Sequence, residues 1–417
     1  MRVLIFSYDW APSVGGIQSA MNSLAEGIAS RSQAEGHRLL GLVTQTHADR
    51  EYDQRFGFTV FRRPGLLRLA KLIRDCDVLH LAGPALRPLV LAKLLQRKVV
   101  IQHHGYQAIC PDGLLLDSQT QASCRDSFSH GDWINCLRCR ANNVGWIRGL
   151  LSVGLGYPRR WLVKRASANV SVSDHVKMRL GLPSSSTIYN GTSAAPTPLL
   201  SPAHNCFSPC FVFVGRLVPE KGVDVLLRAS AQLAAGRKFR LRIIGDGPEL
   251  LRLKILASEL RLDQIARFCG FVQGQQLADL IDDSVAVVMP SICEEAAPLS
   301  AIEQMMRGKF IIASDIGGLS EMVGATGLKF SPGSAFELAR SMQLALDDAD
   351  LRRTLAFAAH LRARQLFSAD RMVNDHLKLY REVVAKSVSP KKYEKAAPPE
   401  TWLTTVGERL KSFITAS

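Results

Sequence analysis

Glu295 and Glu303 bracket the start of a predicted helix in Glu295-Ala-Ala-Pro-Leu-Ser-Ala-Ile-Glu303. Leu299, Ile302 and Met306 recur at helical spacing. Pro298 suits a first helical turn, where its missing N–H is not needed and its fixed φ fits. A helix opening near Ala297 would present free first-turn N–H groups, proline's excepted, as a pole of partial positive charge able to hold a diphosphate. Carboxylates accept strongly from hydroxyls, so one glutamate could hold the hydroxyls of a sugar and the other a ribose. Standing alone, two glutamates at this spacing are more often a solvated surface.

Two cations could supply the opposite charge. Phe211-Val-Phe-Val-Gly215-Arg216 reads as a short buried strand running into a glycine turn, followed by Lys221, Gly222 and a helix carrying Val225, Leu226 and Ala229. Arg216 and Lys221 would then leave the carboxyl end of a strand, where open α/β sheets bind ligands. Such a pair can clamp a pyrophosphate and neutralise charge on a departing nucleoside diphosphate. Taken alone, the pair reads as exposed basic residues on a connecting loop. Residues 241–244 form a further strand entering Gly245-Asp-Gly-Pro-Glu249, a G-x-G lacking the third glycine of a dinucleotide fingerprint. Residues 285–289 read as the strand that leads to the Glu295 loop.

The amino-terminal half has the same rhythm. Residues 2–7 read as a strand, 8–16 as a loop, and Ile17, Met21, Leu24 and Ile28 as one face of a helix. Further strands at 37–43, 58–62, 77–81, 98–103 and 168–172 alternate with helical segments, which argues a mainly parallel sheet covered on both faces. Gly15-Gly16 opens the first helix. Without Cβ atoms these residues let a ligand approach the backbone, although Gly-Gly by itself is usually a turn.

Residues 206–370 resemble the nucleotide-binding domain of retaining glycosyltransferase family 4, of GT-B fold. Gly215-Arg216 with Lys221, Gly245-Asp-Gly-Pro248, Glu295 to Glu303, and Asp315-Ile-Gly-Gly318 with Glu321 carry the resemblance, in that order and spacing. It implies an α/β protein of two Rossmann-like, doubly wound domains facing a central cleft, with a carboxy-terminal helix crossing back to the amino-terminal domain. It further implies that Arg216 and Lys221 contact the donor diphosphate, Glu295 the donor sugar hydroxyls, and Glu303 the ribose. Backbone at Ala297, Pro298 and Leu299 would support the phosphate, with Gly215 and Gly245 in the donor-binding set. Gly15 and Gly16 would face the donor across the cleft. Ala-Ala-Pro stands where many relatives have Gly-Phe-Gly after the first glutamate; it resembles a Glu-Asn-x-Pro subgroup and leaves the donor sugar open.

His103 and His104 end the strand at 98–103. An imidazole there could bond the donor sugar or orient the acceptor, or could be a satisfied core residue. Relatives have His-Asp or His-Gly at this place, so His104 is the better match and His103 the fallback. Between 105 and 145 the α/β rhythm breaks, and Cys110, Cys124, Cys136 and Cys139 appear. Four thiolates around a zinc ion would staple this insertion, with His130 as a substitute ligand. The C-x2-C half has metal-ligand spacing, but the first two cysteines are too far apart for a second knuckle. Reduced thiols or disulfides are the other readings.

The 417-residue length allows two substantial cores, and 47% hydrophobic content is ordinary for a globular chain. No run approaches the ~18 apolar residues of a membrane span, and the Val3 to Phe6 run is too short for a signal peptide. Nine cysteines, an odd number without a dense framework, point to a reducing cytoplasm. The net charge of +15 is lopsided: residues 1–200 hold 24 Lys and Arg against 13 Asp and Glu, an excess of 11 that leaves 4 for the rest. Arg159, Arg160, Lys164 and Arg165, interleaved with Trp146, Ile147, Leu150, Leu151, Tyr157 and Trp161, suggest contact with an anionic membrane, or a plain solvated face. No nucleic-acid module is recognisable, so no nucleic-acid partner is expected.

These readings divide the chain into an acceptor-side domain at 1–197 containing the 105–145 insertion, a nucleotide-sugar-binding domain at 206–370, and a crossover helix at 371–386. A linker and amphipathic tail at 387–417 would follow, with Trp402, Val406, Leu410 and Phe413 on one face. The expected activity is that of a retaining, hexosyl-type glycosyltransferase. It would move a sugar from a UDP- or GDP-linked donor to a lipid-linked glycan acceptor in bacterial polysaccharide or envelope biosynthesis, at the inner face of the cytoplasmic membrane. Arg216, Lys221, Glu295 and His104 form the expected catalytic set, with no cofactor required for catalysis. The rivals are a non-catalytic sugar-nucleotide or glycan-binding protein, a sugar phosphorylase or sucrose-type synthase, and an oxidoreductase, the last disfavoured because no complete G-x-G-x-x-G follows a strand.

Overall fold

Short apolar runs buried on both faces dictate parallel strands sandwiched by helices, and the computed structural model contains two such sheets. It describes residues 1–31, 36–118, 123–124, 127–193 and 209–386. The first sheet consists of β1 (Arg2–Ser7), β2 (Arg38–Thr44), β3 (Val60–Arg62), β4 (Val78–Ala82), β5 (Lys98–His103), β6 (Ala168–Ser171) and β7 (Ser185–Thr187), in the order β3-β2-β1-β4-β5-β6-β7. The second consists of β8 (Cys210–Val214), β9 (Arg240–Ile244), β10 (Ala266–Gly270), β11 (Ala286–Met289), β12 (Ile311–Ser314) and β13 (Leu328–Phe330), in the order β10-β9-β8-β11-β12-β13. Every strand pairing within them is parallel.

In each sheet the order reverses beside the first strand, between β1 and β4 and between β8 and β11. That switch point is where an open doubly wound sheet leaves a crevice at its carboxyl ends. One core packs helices against Phe211, Leu241, Val288 and Ile312 of the second sheet. Another packs the helices Leu66–Asp75, Leu86–Leu94, Trp146–Val163 and Asp174–Leu180 against Leu4, Leu79 and Ile101 of the first.

The helix Ala369–Ala385 returns to the first sheet. Its Val373 packs so tightly on the first helix, Gly16–Arg31, that a Cβ on Gly27 would come 2.4 Å from it, and Tyr380 Oη lies 2.8 Å from His80 Nδ1 on β4. Gly191 is needed for the same return of the chain, because a Cβ there would meet the Ser368 carbonyl at 2.4 Å. Trp402, Val406, Leu410 and Phe413 lie outside the described residues.

Candidate active site

The carboxyl ends of both sheets open onto one cavity of about 950 Å³. From the first sheet, the loop after β1 contributes Gly15 and Gly16, the end of β5 His104, and the chain beyond β7 Asn190. From the second, Gly215, Arg216 and Lys221 follow β8, Gly245 and Asp246 follow β9, Phe271 and Gln273 follow β10, and the segment from Glu295 to Glu303 follows β11. Arg216, Lys221, Glu295, His104, Gly15, Gly16, Gly215, Gly245, Ala297, Pro298, Leu299 and Glu303 all line this space. Residues scattered over almost 300 positions thus meet because both sheets are wound the same way.

Lys221 Nζ donates to Glu295 Oε2 at 2.6 Å, and Ser291 Oγ donates to the other oxygen of that carboxylate. Arg216 remains 70% exposed, with Glu220 3.6 Å away, so its guanidinium is available at the cavity. Among the described residues no cation is paired with Glu303 as closely. Burial raises its pKa above the ordinary carboxylate value, against a smaller opposing pull from Arg307. His104 is pushed down to about 3, by burial first and then by His376 and His103, so it stands neutral. Its Nε2 has no hydrogen-bond partner among the described residues. His103 is a core residue instead: fully buried, it bonds Asn169 through Nε2 at 3.0 Å.

The helix after Glu295 starts two residues later than the opening near Ala297 that its sequence pattern suggests. It runs Leu299–Met306, and Pro298 is its N-cap in extended backbone, with a carbonyl that accepts from Ala301 at 3.1 Å. The preceding loop is pinned in place, since Ser173 Oγ donates to the Ala296 carbonyl at 2.6 Å and Gly318 N–H to that of Glu295 at 2.7 Å. A Cβ on Gly318 would fall 1.9 Å from the Ala296 oxygen. The Gly317-Gly318 pair therefore lets one helix start dock on the loop that carries Glu295. Gly245 lines the cavity, but its glycine identity has another cause: at φ +143° a Cβ would meet the Gly215 carbonyl at 1.8 Å.

Glu294, which sequence reasoning did not single out, and Glu321, part of the Asp315-to-Glu321 motif, flank the site without lining its cavity. Glu294, beside Glu295, joins the two halves: His175 Nε2 lies 2.9 Å and Arg179 Nε 2.8 Å from its Oε2, and Ser123 Oγ donates to its Oε1. Burial pushes Glu294 up, but the His175 and Ser123 bonds and the Arg179 charge outweigh it, leaving the carboxyl below its ordinary value. Glu321 accepts from the backbone N–H groups of Asp174 at 2.8 Å and His175 at 2.7 Å. For Glu294 the doubled Glu294-Glu295 was the one hint in the sequence.

Cys110, Cys124, Cys136 and Cys139 line one separate small cavity of about 20 Å³, without His130. Burial, reinforced by the neighbouring sulfurs, pushes the Cys136 thiol up to about 12, and burial also raises Cys110. Among the described residues no group of three or more His, Cys, Asp or Glu side chains is arranged to hold a metal ion.

Solved structures of the same architecture exist. An Anabaena protein, Alr3699/HepE, crystallised in complex with UDP-glucose, aligns with TM-score 0.69 and 18% identity over 92% of this chain and 100% of that one. Sucrose-phosphate synthase from Thermosynechococcus elongatus aligns with TM-score 0.70 and 20% identity over 92% and 99%. The fold is GT-B. Residues 203–362, which contain the second sheet and every second-half residue of the cavity, match the family described as glycosyl transferases group 1. A 143-residue segment is 36% identical to 2-deoxystreptamine glucosyltransferase of Streptomyces kanamyceticus, covering 34% of this chain and 37% of that protein. A 227-residue segment is 30% identical to glycogen synthase of Mycobacterium tuberculosis, covering 52% and 55%. The matched stretch thus spans between about one third and just over half of these curated relatives. Among the described residues no helix of this GT-B chain is long and apolar enough to cross a membrane.

Proposed function

We propose that the protein is a retaining glycosyltransferase that moves a hexosyl unit from a nucleotide diphosphate sugar to a hydroxyl of a carbohydrate acceptor, lipid-linked, in polysaccharide or envelope glycan assembly. The carrying observation is the convergence of Glu295, Glu303, Lys221 and Arg216 on one cavity between the two sheets. The group 1 match over residues 203–362 and the glycosyltransferase relatives support the reading.

In this reading the diphosphate lies between Arg216, Lys221 and the start of the helix Leu299–Met306, where charge accumulates as the leaving group departs. Glu303 accepts from the ribose hydroxyls. Glu295, fixed by Lys221 and Ser291, accepts from hydroxyls of the transferred sugar. Phe271, more than half exposed at the rim of the cavity, offers a ring face to the base. The bond from the anomeric carbon to the phosphate oxygen breaks while the acceptor oxygen bonds that carbon on the same face. The acceptor's proton passes to the departing phosphate. Neutral His104, with a free ring nitrogen, orients a sugar hydroxyl without adding charge.

The test is a melting-shift panel of UDP, GDP and ADP sugars followed by an assay of nucleoside diphosphate release with glycan acceptors. A ligand that binds only the native state raises its stability, by about 2.7 kcal/mol at a hundredfold excess over Kd. One nucleotide family should shift the transition and be released as diphosphate when acceptor is added. Absence of any shift across the panel, or a shift without acceptor-dependent release, would refute the transferase reading.

A further inference from the structure

We infer that the helix Trp146–Val163, with its neighbours Leu86–Leu94 and Leu66–Asp75, forms a docking face for an anionic lipid bilayer. The inner side of Trp146–Val163 is already satisfied: Gly149, Val153, Gly156, Leu162 and Val163 are buried. Glycine is required at 156, where a Cβ would meet the Phe128 ring at 2.7 Å. A helix packed in this way ordinarily turns polar residues outward. Here the outward side carries Trp146, Ile147, Leu150, Leu151, Tyr157 and Trp161, all exposed, with Ile147 at 79%.

The apolar surface does not stop at that helix. Leu86–Leu94 packs against it and exposes Val90 and Leu94, and Leu66–Asp75, the next helix along, exposes Leu66 and Leu67, the latter at 87%. Exposed apolar groups spread over three adjacent helices exceed the single scattered side chains normal on a surface and mark an interaction site.

Charge chooses the partner. Neither Leu86–Leu94 nor Trp146–Val163 contains an acidic residue, and Leu66–Asp75 contains only Asp75, at its end. Arg68, Arg87, Lys93 and Arg148 within these helices, and Lys164 and Arg165 directly after Trp146–Val163, are exposed. Arg165 stacks over the Trp161 ring at 4.0 Å. Tryptophan and basic side chains together suit the headgroup level of a membrane, where the ring sits among acyl chains and the cation reaches lipid phosphate. Anionic lipid attracts each cation held near the surface. A protein partner would need an acidic, deeply apolar groove in matching shape, whereas a bilayer needs only the two properties present.

The test is sedimentation of the full chain with vesicles of phosphatidylcholine alone or of phosphatidylcholine mixed with phosphatidylglycerol. Two variants are compared: Trp146→Ser with Ile147→Ser, Leu150→Ser and Leu151→Ser, and Arg148→Glu with Lys164→Glu and Arg165→Glu. These residues lie on the surface, so melting temperatures should match the parent and certify folding. Binding should favour the anionic vesicles and fall at least tenfold in each variant. Equal binding to neutral vesicles, no binding to anionic ones, or undiminished binding by both variants overturns the inference. So does a lipid-free dimer, seen by sedimentation velocity, that the serine variant abolishes. Nucleotide-sugar melting shifts measured on the same variants keep this outcome separate from that of the transferase reading.

Discussion

Lys221 Nζ and Glu295 Oε2 meet at 2.6 Å across 74 positions of sequence, with both side chains largely buried, at 18% and 13% exposure. Their meeting follows from β8 and β11 lying side by side, and from a stitch between the loops that leave them. Gly222 adopts φ +62°, and a Cβ there would fall 2.1 Å from the Pro290 carbonyl. Ile292 N–H donates to the Glu220 carbonyl at 3.0 Å. The backbone thus brings a cation onto a carboxylate before any ligand arrives. An incoming diphosphate need only share a cation whose position is already fixed, so little reorganisation accompanies the growth of negative charge.

Lys221→Ala is therefore expected to act mainly on turnover. Removing one preorganised donor from a developing anion costs ~10²–10³ in kcat. Steady-state kinetics should show that loss with a much smaller change in KM. An equal fall in donor affinity and no separate loss of kcat would mean that Lys221 serves ground-state binding alone.

Glu303 behaves differently because no cation among the described residues lies comparably close and burial raises its pKa. Glu303→Ala should weaken donor binding by tenfold or more, since a hydrogen bond to a charged group contributes ~1.5–3 kcal/mol. The carboxylate is the stronger acceptor for ribose hydroxyls, so parent affinity should decline on acidification from a pH higher than an ordinary glutamate would give. Glu303→Gln should lack that acid limb. Calorimetric titration of the donor from neutral pH downward checks both points, and an unchanged acid limb in the glutamine variant would remove Glu303 from the ribose site.

Glu294 gives a prediction of opposite sign. Its folded pKa lies below the ordinary 4.5, so the stability it contributes is fully present above 4.5 and is lost as pH falls through the folded value. Glu294→Gln keeps the shape but removes the charge held by His175, Arg179 and Ser123, and should cost about 1–3 kcal/mol near neutral pH. Melting curves of parent and variant should converge as pH drops below 4.5. A constant difference across that range would assign the effect to packing.

What could be read from the sequence follows local physics. β1, β5 and β11 are continuous apolar runs, and their periodicity and flanking turns suffice to find them. β7, all Ser and Thr, lies at one edge of its sheet and carries no apolar signal, while β13 is a three-residue edge strand. β12, interior and buried, is four residues long like β11, and its pairing with β13 is a long-range feature that the local pattern does not carry. The same limit separates the site residues. Glu295 and Glu303 stand out because one helix start relates them, whereas the Glu294–His175 bond spans 119 positions and exists only once both sheets face one cleft. Gly245 was legible as a special glycine, but the neighbouring carbonyl that requires it was not.

The contact between the helix Ala369–Ala385 and β4 can be tested without any ligand. Tyr380 and His80 are both fully buried, and the phenol Oη lies 2.8 Å from His80 Nδ1. Burial holds both neutral, raising the phenol pKa and lowering that of the imidazole, so the phenol donates and the ring nitrogen accepts. Tyr380→Phe leaves the ring volume nearly intact but strands a buried acceptor, which should cost about 1–3 kcal/mol. Because this helix spans from the second half of the chain to the first sheet, the loss should appear in chemical denaturation as a lower midpoint with an unchanged slope. A variant as stable as the parent would show that water or another group replaces the phenol at His80, and that the helix is held by its apolar residues Met372, Val373, Leu377 and Val383 alone.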